Sequence, residues 1–183
     1  MKKLLLIFLL INWNSVALGS IKENIINILT ETQNLSFNFE QNIDGKIEKG
    51  NCIIEYPKKI FCKYQKSKNK ILVSNGKSLV ILTQNGSYYQ YPIKRTPLNY
   101  ILDKDYLIKE IKNSQERIID NKLINFTILK DNNEINIFFD INNFNLVGWQ
   151  TLDIYQNLNI TYLSSLKKNQ MLKKNIFKLP KID

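Results

Sequence analysis

Hydrophobic positions divide the chain into a helix, a run of strands, a helical interruption and a second run of strands. Between residues 21 and 31, Ile21, Ile25, Ile26, Ile28 and Leu29 recur near helical spacing, and Ser20 stands where an N-cap belongs. The period then drops to two, with Leu35, Phe37 and Phe39 on one face of a strand over residues 35–43. Asp44-Gly45, Asn75-Gly76 and Asn85-Gly86 read as hairpin turns. They separate strands expected at 46–56, 60–65, 70–74, 78–84 and 87–91. Thr96-Pro97 then opens a short helix, with Thr96 as N-cap, Pro97 at its first position, and Leu98, Ile101 and Leu102 on one face. Residues 103–105 interrupt it and 106–113 resume as a second helical turn. Strand patterns return at 117–120, 122–130, 134–140, 146–154 and 158–165, and residues 175–179 read as a final edge strand before Pro180.

Several of these strands do not alternate cleanly. Residues 71–73 and 78–83 are apolar on both faces, unlike an antiparallel sheet with one wet side. A strongly curved sheet wrapped over helices meets both demands: one face packs under helices and the other lines a second apolar space. Asp103 and Asp105 read as helix-end residues rather than a catalytic pair.

The first nineteen residues carry a different signal. Lys2 and Lys3 precede an unbroken apolar run from Leu4 to Leu10, too short to span a bilayer, and Ala17 and Gly19 follow as a small-residue cleavage pair. The expectation is a signal peptide over 1–19 and a single exported domain over 20–183. No Cys lies near the cut, so the mature chain is not expected to be lipidated. Loss of Lys2 and Lys3 takes the formal charge from +10 to +8. The lysines are scattered and no Arg-aromatic platform is present, which speaks against nucleic acid as a partner.

Cys52 and Cys62 are the only cysteines, and export permits a disulfide. They flank the turn at Pro57. If Tyr56 pairs with Ile60, the two sulfurs share a face but sit diagonally, about 7–8 Å apart between positions. That spacing favours buried free thiols and leaves the bond open.

The chain has no His. This removes Ser-His-Asp and Cys-His catalysis and imidazole-based zinc sites. No glycine-rich phosphate loop occurs, and no cofactor or metal is expected. A carboxylate hydrolase needs only two acids, but no spacing here recommends one. Tyr88, Tyr89 and Tyr91 cluster in one strand and read as a half-exposed edge rather than a sugar platform.

Six short motifs, in order, resemble those of the periplasmic outer-membrane lipoprotein carrier family, LolA. They are Phe39-Glu40-Gln41 after the first helix; Gly50 with Pro57 seven residues on, followed by KIFCKY; VSNGK from Val73; Thr96-Pro97 leading a short apolar helix; LVGWQTLD from Leu146; and the NIFKLP tail. The resemblance covers essentially all of residues 20–183. It implies an α+β, mainly antiparallel β fold: an unclosed half-barrel of about 11 strands with helices covering the concave face. It also implies a function without covalent chemistry. Lipoprotein acyl chains would enter the apolar space, taken from an inner-membrane lipoprotein-releasing ABC transporter and passed to an outer-membrane lipoprotein receptor. The alternative is a lipid- or lipoprotein-sensing binding domain of the same half-barrel type. A monomer is expected.

On this reading, a lipid groove is expected from Phe37, Phe39, Cys52, Ile54, Tyr56, Ile60, Cys62 and Tyr64, which parity places together. The lid would be Pro97, Leu98, Ile101 and Leu102. Tyr56 stands where the family often has an Arg that holds the lid through backbone carbonyls. The Tyr56 hydroxyl could donate one such bond, and Arg95 could compensate.

Overall fold

The strands form two meanders that grow in opposite directions from a shared seam. The computed structural model describes residues 20–66, 70–131, 133–152 and 157–181. The expected signal peptide at 1–19 and the end of the strand expected over 146–154 lie outside them. In chain order come α1 (Ile21–Glu31), β1 (Asn34–Ile43), β2 (Lys46–Glu55), β3 (Lys59–Tyr64), β4 (Ile71–Asn75), β5 (Ser78–Leu82) and β6 (Tyr88–Pro92). A 3₁₀ turn (Ile93–Arg95), α2 (Leu98–Ile101) and α3 (Lys104–Asn113) lead to β7 (Arg117–Ile119), β8 (Leu123–Lys130), β9 (Asn133–Asp140), β10 (Leu146–Leu152) and β11 (Leu158–Lys168).

All eleven strands join one antiparallel sheet in the order β6-β5-β4-β3-β2-β1-β11-β10-β9-β8-β7. The two edges, β6 and β7, do not pair with each other, so the sheet is not closed. The chain leaves at one edge and re-enters at the other. The helical stretch between them must therefore cross the sheet, and this puts α2 and α3 over the face that α1 also covers.

Local signals start and stop the helices. Ser20 Oγ accepts from the Glu23 N–H while the Glu23 carboxylate accepts from the Ser20 N–H, a capping box. Lys104 Nζ donates to the Thr30 and Thr32 carbonyls at 3.1 and 3.0 Å, which ties α3 to the last turn of α1. Ile25 and Leu29 from α1 and Leu107 and Ile111 from α3 join Phe126, Ile137 and other inward strand residues in one core.

Four expectations change. Thr96 does not cap α2: its hydroxyl donates back to the Ile93 carbonyl and Pro97 occupies the cap position. The second helical piece begins earlier, at Lys104, because Asp103 caps it by accepting from the Tyr106 N–H. Residues 175–179 form turns rather than an edge strand. Asn175 takes a left-handed φ of 64°, and the Ile176 and Lys178 N–H groups bond back to Lys173 and Asn175.

The fourth change concerns the register of β2 and β3. Glu55 pairs with Lys59, so the turn holds three residues, Tyr56, Pro57 and Lys58. Pro57 cannot donate to the ladder, the Tyr56–Pro57 peptide is cis, and Lys58 takes a φ of 64°. The pairing shifts by two relative to the expected register. Parity survives, but Cys52 now faces Cys62 directly and the two are disulfide-bonded. Neither is a free thiol.

Candidate functional site

Ladder pairing carries the inward positions across the sheet as rows. Leu35, Ile54, Ile60, Ser74 and Leu79 form one row, and Phe37, Cys52, Cys62, Leu72 and Ile81 the next. Phe39, Gly50 and Tyr64 form a third. Gly50 is required there. A Cβ would collide with the Lys63 carbonyl and come within 2.6 Å of the Phe39 ring. Freed of that obstacle, the Phe39 ring lies over Gly50 and meets Tyr64 edge-on, centroids 5.1 Å apart.

Between these rows and α2 lies a groove of about 370 Å³. Cys52, Ile60, Cys62, Leu72, Leu79 and Ile81 form its floor. Pro97, Leu98 and Ile101 of the helical crossing form its roof, and Trp149, Thr151 and Thr161 come from the other meander. The disulfide is therefore part of the floor. One end of the groove is polar. Gln41 Nε2 donates to Asn159 Oδ1 at 2.9 Å. Glu48 and Lys70 form a mostly buried ion pair at 2.5 Å, with Lys70 Nζ 4.2 Å from the centre of the Tyr64 ring. Burial, and secondarily the Glu48 charge, push the Tyr64 phenol above the usual tyrosine range.

Of the eight residues expected in the groove, Phe39, Cys52, Ile60, Cys62 and Tyr64 line this space. Phe37 and Ile54 share their face but belong to the packed core, where Phe37 meets Trp149 edge-on at 6.3 Å. Tyr56 lies past the end of β2, in the turn. Of the expected lid, Pro97, Leu98 and Ile101 line the groove, whereas Leu102 is fully buried in the core. Sequence reading did not assign Trp149, Leu72, Leu79 or Ile81 to this space. The signal for Leu72, Leu79 and Ile81 was present in the hairpin parity. Trp149 enters only through the pairing of β1 with β11.

The roof is not held by Tyr56 or Arg95. The Tyr56 hydroxyl is buried without a hydrogen-bond partner among the described residues, and burial pushes its pKa up. Lys58 does the work two residues on. Its backbone N–H donates to the Leu102 carbonyl at 2.6 Å, and its Nζ pairs with Asp103 at 3.1 Å. Lys58 is itself fixed, since Ser74 Oγ donates to its carbonyl at 2.8 Å. The C-terminal end of α2 is thus tied to the β2–β3 turn by one backbone bond and one half-exposed ion pair.

Residues 30–180 match the profile of a protein family described as outer membrane lipoprotein carrier protein LolA. The chain belongs to the LolA family. Curated proteins include no match to it. Among solved structures, an uncharacterized conserved protein from Thermus thermophilus aligns with a TM-score of 0.51 at 6% identity, covering 88% of this chain and 93% of that one. A LolA-superfamily protein from Nitrosomonas europaea aligns at 0.46 and 8% identity, over 87% and 96%. MucB, in its complex with MucA from Pseudomonas aeruginosa, aligns at 0.47 and 9% identity, over 88% of this chain and 62% of that chain. At 6% identity the likeness to the Thermus thermophilus protein speaks to fold alone. Among the described residues, no cluster of His, Cys, Asp or Glu could hold a metal, and no helix is long and apolar enough to cross a membrane.

Proposed function

We propose that this LolA-family protein is a periplasmic carrier that shelters lipoprotein acyl chains in the groove beneath α2. The observation that carries the reading is an apolar groove whose roof is a single turn of helix, tied to the sheet by Lys58 and, through the Tyr100 hydroxyl, to Asp131. Moving an acyl chain through water exposes about 0.8 kcal/mol per CH₂. A sixteen-carbon chain therefore needs shelter worth on the order of 12 kcal/mol. An apolar floor and roof offer such shelter without covalent chemistry.

Size and reversibility fit together. The groove of about 370 Å³ lies at the lower end of the range for small-molecule sites, roughly 300–1,000 Å³. A cargo with several acyl chains needs the roof to move. The polar ties at Lys58 add little to the cost of that motion, a half-exposed ion pair contributing about 0–1 kcal/mol and one hydrogen bond about 1 kcal/mol. The Tyr100–Asp131 bond and the burial of Ile101 and Leu102, about 1.5–3 kcal/mol for each side chain, are the larger cost that bound acyl chains must offset. A roof that packs on the groove when empty also offsets part of the binding energy, so that cargo can leave.

In this proposal residues 1–19 direct export and are removed, and residues 20–183 act as a single carrier domain, as a monomer. The donor is the inner-membrane lipoprotein-releasing ABC transporter and the acceptor an outer-membrane lipoprotein receptor. The test is release. The delipidated protein is added to membranes holding a lipoprotein, the transporter and ATP. Appearance of the lipoprotein in the soluble fraction, bound to the protein, is the expected outcome. No release, alongside a working control carrier, sinks the proposal.

A further inference from the structure

We propose that the polar end of the groove is a subsite for the acyl carbonyls of a lipoprotein's lipid anchor, formed by Gln41, Thr151, Asn159 and Thr161. This rests on the reading of the groove as an acyl-chain site and adds which way round the anchor lies in it.

Register brings the four residues together. Gln41 pairs with Thr161 across the β1–β11 seam, and Thr151 pairs with Asn159 between β10 and β11. The two pairs occupy neighbouring rows of one sheet face, and all four side chains line the groove. Thr151 and Thr161 are only 7% and 4% exposed. Gln41 Nε2 donates to Asn159 Oδ1 at 2.9 Å and to Thr161 Oγ1 at 3.5 Å. Those contacts occupy one amide donor and two acceptors. The hydroxyl hydrogens of Thr151 and Thr161 and the Asn159 Nδ2 hydrogens find no acceptor among the described residues. Among those residues only the Tyr56 hydroxyl is both sealed off and unpartnered, so the Thr151 hydroxyl opens on the groove.

What the cluster offers is a set of uncharged hydrogen-bond donors at one end of an apolar floor. The Glu48–Lys70 pair at the same end is already self-compensated at 2.5 Å. Plain hydrocarbon laid over these groups would strip their water and leave them unpaired, which is unfavourable. A carbonyl in their place accepts from them. Every acyl chain of a lipoprotein joins its anchor through an ester or an amide, so a carbonyl stands where each chain begins. Seated at Thr151 and Thr161, that carbonyl starts the chain near the β1–β2 turn. The strand rows then lead it past Phe39 and Cys52 to Ile60, beneath Pro97, Leu98 and Ile101. The Lys58 tie of the roof lies beyond that far end.

Isothermal titration calorimetry compares two uncharged ligands, the glycerol monoester of dodecanoic acid and glycerol monododecyl ether, which lacks the carbonyl. The full chain is used, purified and stripped of lipid, with both ligands below the concentration at which they aggregate. The ester is expected to bind with a roughly fivefold lower Kd, the factor that one net hydrogen bond contributes. In T151V/T161V the ratio should fall toward one, with thermal unfolding still cooperative. T151V alone removes a hydroxyl that has no partner to lose, and it should lower the ratio in the same direction. A peptide carrying a diacylglyceryl cysteine should lose affinity in T151V/T161V by a similar factor. Equal binding of ester and ether, or a preference that survives both variants, overturns the carbonyl subsite and leaves the groove reading standing. Lipopeptide affinity unmoved by T151V/T161V, with the ester preference lost, assigns the subsite to free acylglycerols and overturns its link to the lipoprotein anchor. Binding of neither glycerol ligand overturns the groove reading and the subsite with it.

Discussion

Single residues decide how the groove is floored and how its roof is tied. Gly50 leaves the space that the Phe39 ring occupies, and Lys58 takes up the tie that the family resemblance led us to look for at Tyr56. Tyr56 itself is left with a buried hydroxyl and no partner. An unsatisfied buried polar group costs about 1–3 kcal/mol. Tyr56→Phe is therefore expected to raise stability, by about 1 kcal/mol, or about 2–4 °C in Tm for a chain of this size. A drop in Tm on calorimetry would show that the hydroxyl is engaged. Tyr56 and Tyr64 also set a direction with pH. Both phenols are raised by burial in the folded state, while in the unfolded chain they ionise near pH 10. Their contribution is complete below about pH 10 and is lost as the pH climbs toward the folded values. Alkaline unfolding followed by circular dichroism should be shallower in Tyr56→Phe. An unchanged slope above pH 10 would remove Tyr56 from that account.

At the level of elements, the β2–β3 hairpin and α2 are the parts on which the groove depends. The Cys52–Cys62 bond closes a short loop across the hairpin and forms part of the floor. Its loss, in the Cys52→Ala/Cys62→Ala double variant, is expected to cost about 3 kcal/mol on the chain-entropy account. Thiol counting on the denatured protein should find no free thiol. One or two free thiols would return the pair to buried apolar filler. In α2, Leu98 lines the groove whereas Leu102 is buried beneath it in the core. Leu98→Glu should therefore abolish acyl-chain uptake while the far-UV spectrum and Tm stay near those of the parent. Leu102→Glu should unfold the chain, because it buries an unpaired charge. Normal uptake by Leu98→Glu would show that α2 is not the roof. This division was only half legible beforehand. The 3.6-residue spacing put Leu98, Ile101 and Leu102 on one face, but a face wide enough to touch both groove and core does not say which residue touches which. The sulfur pairing was missed for a local reason. Starting the three-residue proline turn at Tyr56 rather than at Pro57 moves the register by two, which preserves the face of every side chain and changes every partner.

The whole molecule owes its open shape to the route of the chain. Both meanders start from the β1–β11 seam and end at unpaired edges, and the helical crossing between those edges becomes the roof. Alternation and turn residues made each meander readable, and the Thr96-Pro97 break placed the crossing. The seam itself was not readable. Phe39 and Leu163 pair across more than a hundred residues, and no local pattern encodes that pairing. Trp149, Thr151 and Thr161 consequently entered the groove only through the fold. The tail shows the opposite case, a segment with strand-like composition that ends as turns along the outer face. There Lys59 Nζ stands 5.8 Å from the centre of the Phe177 ring, and the Tyr88 hydroxyl donates to the Pro180 carbonyl at 3.5 Å. The central claim is that acyl chains lie between the sheet and α2. Photocrosslinking tests it most directly, with benzoylphenylalanine placed at Leu72, on the groove floor, or at Lys63, exposed on the opposite face of the sheet. After loading with a lipoprotein labelled on its acyl chains, irradiation should transfer label to the protein from position 72 and not from position 63. Label captured at 63 as readily as at 72, or at neither with lipoprotein bound, would contradict the account.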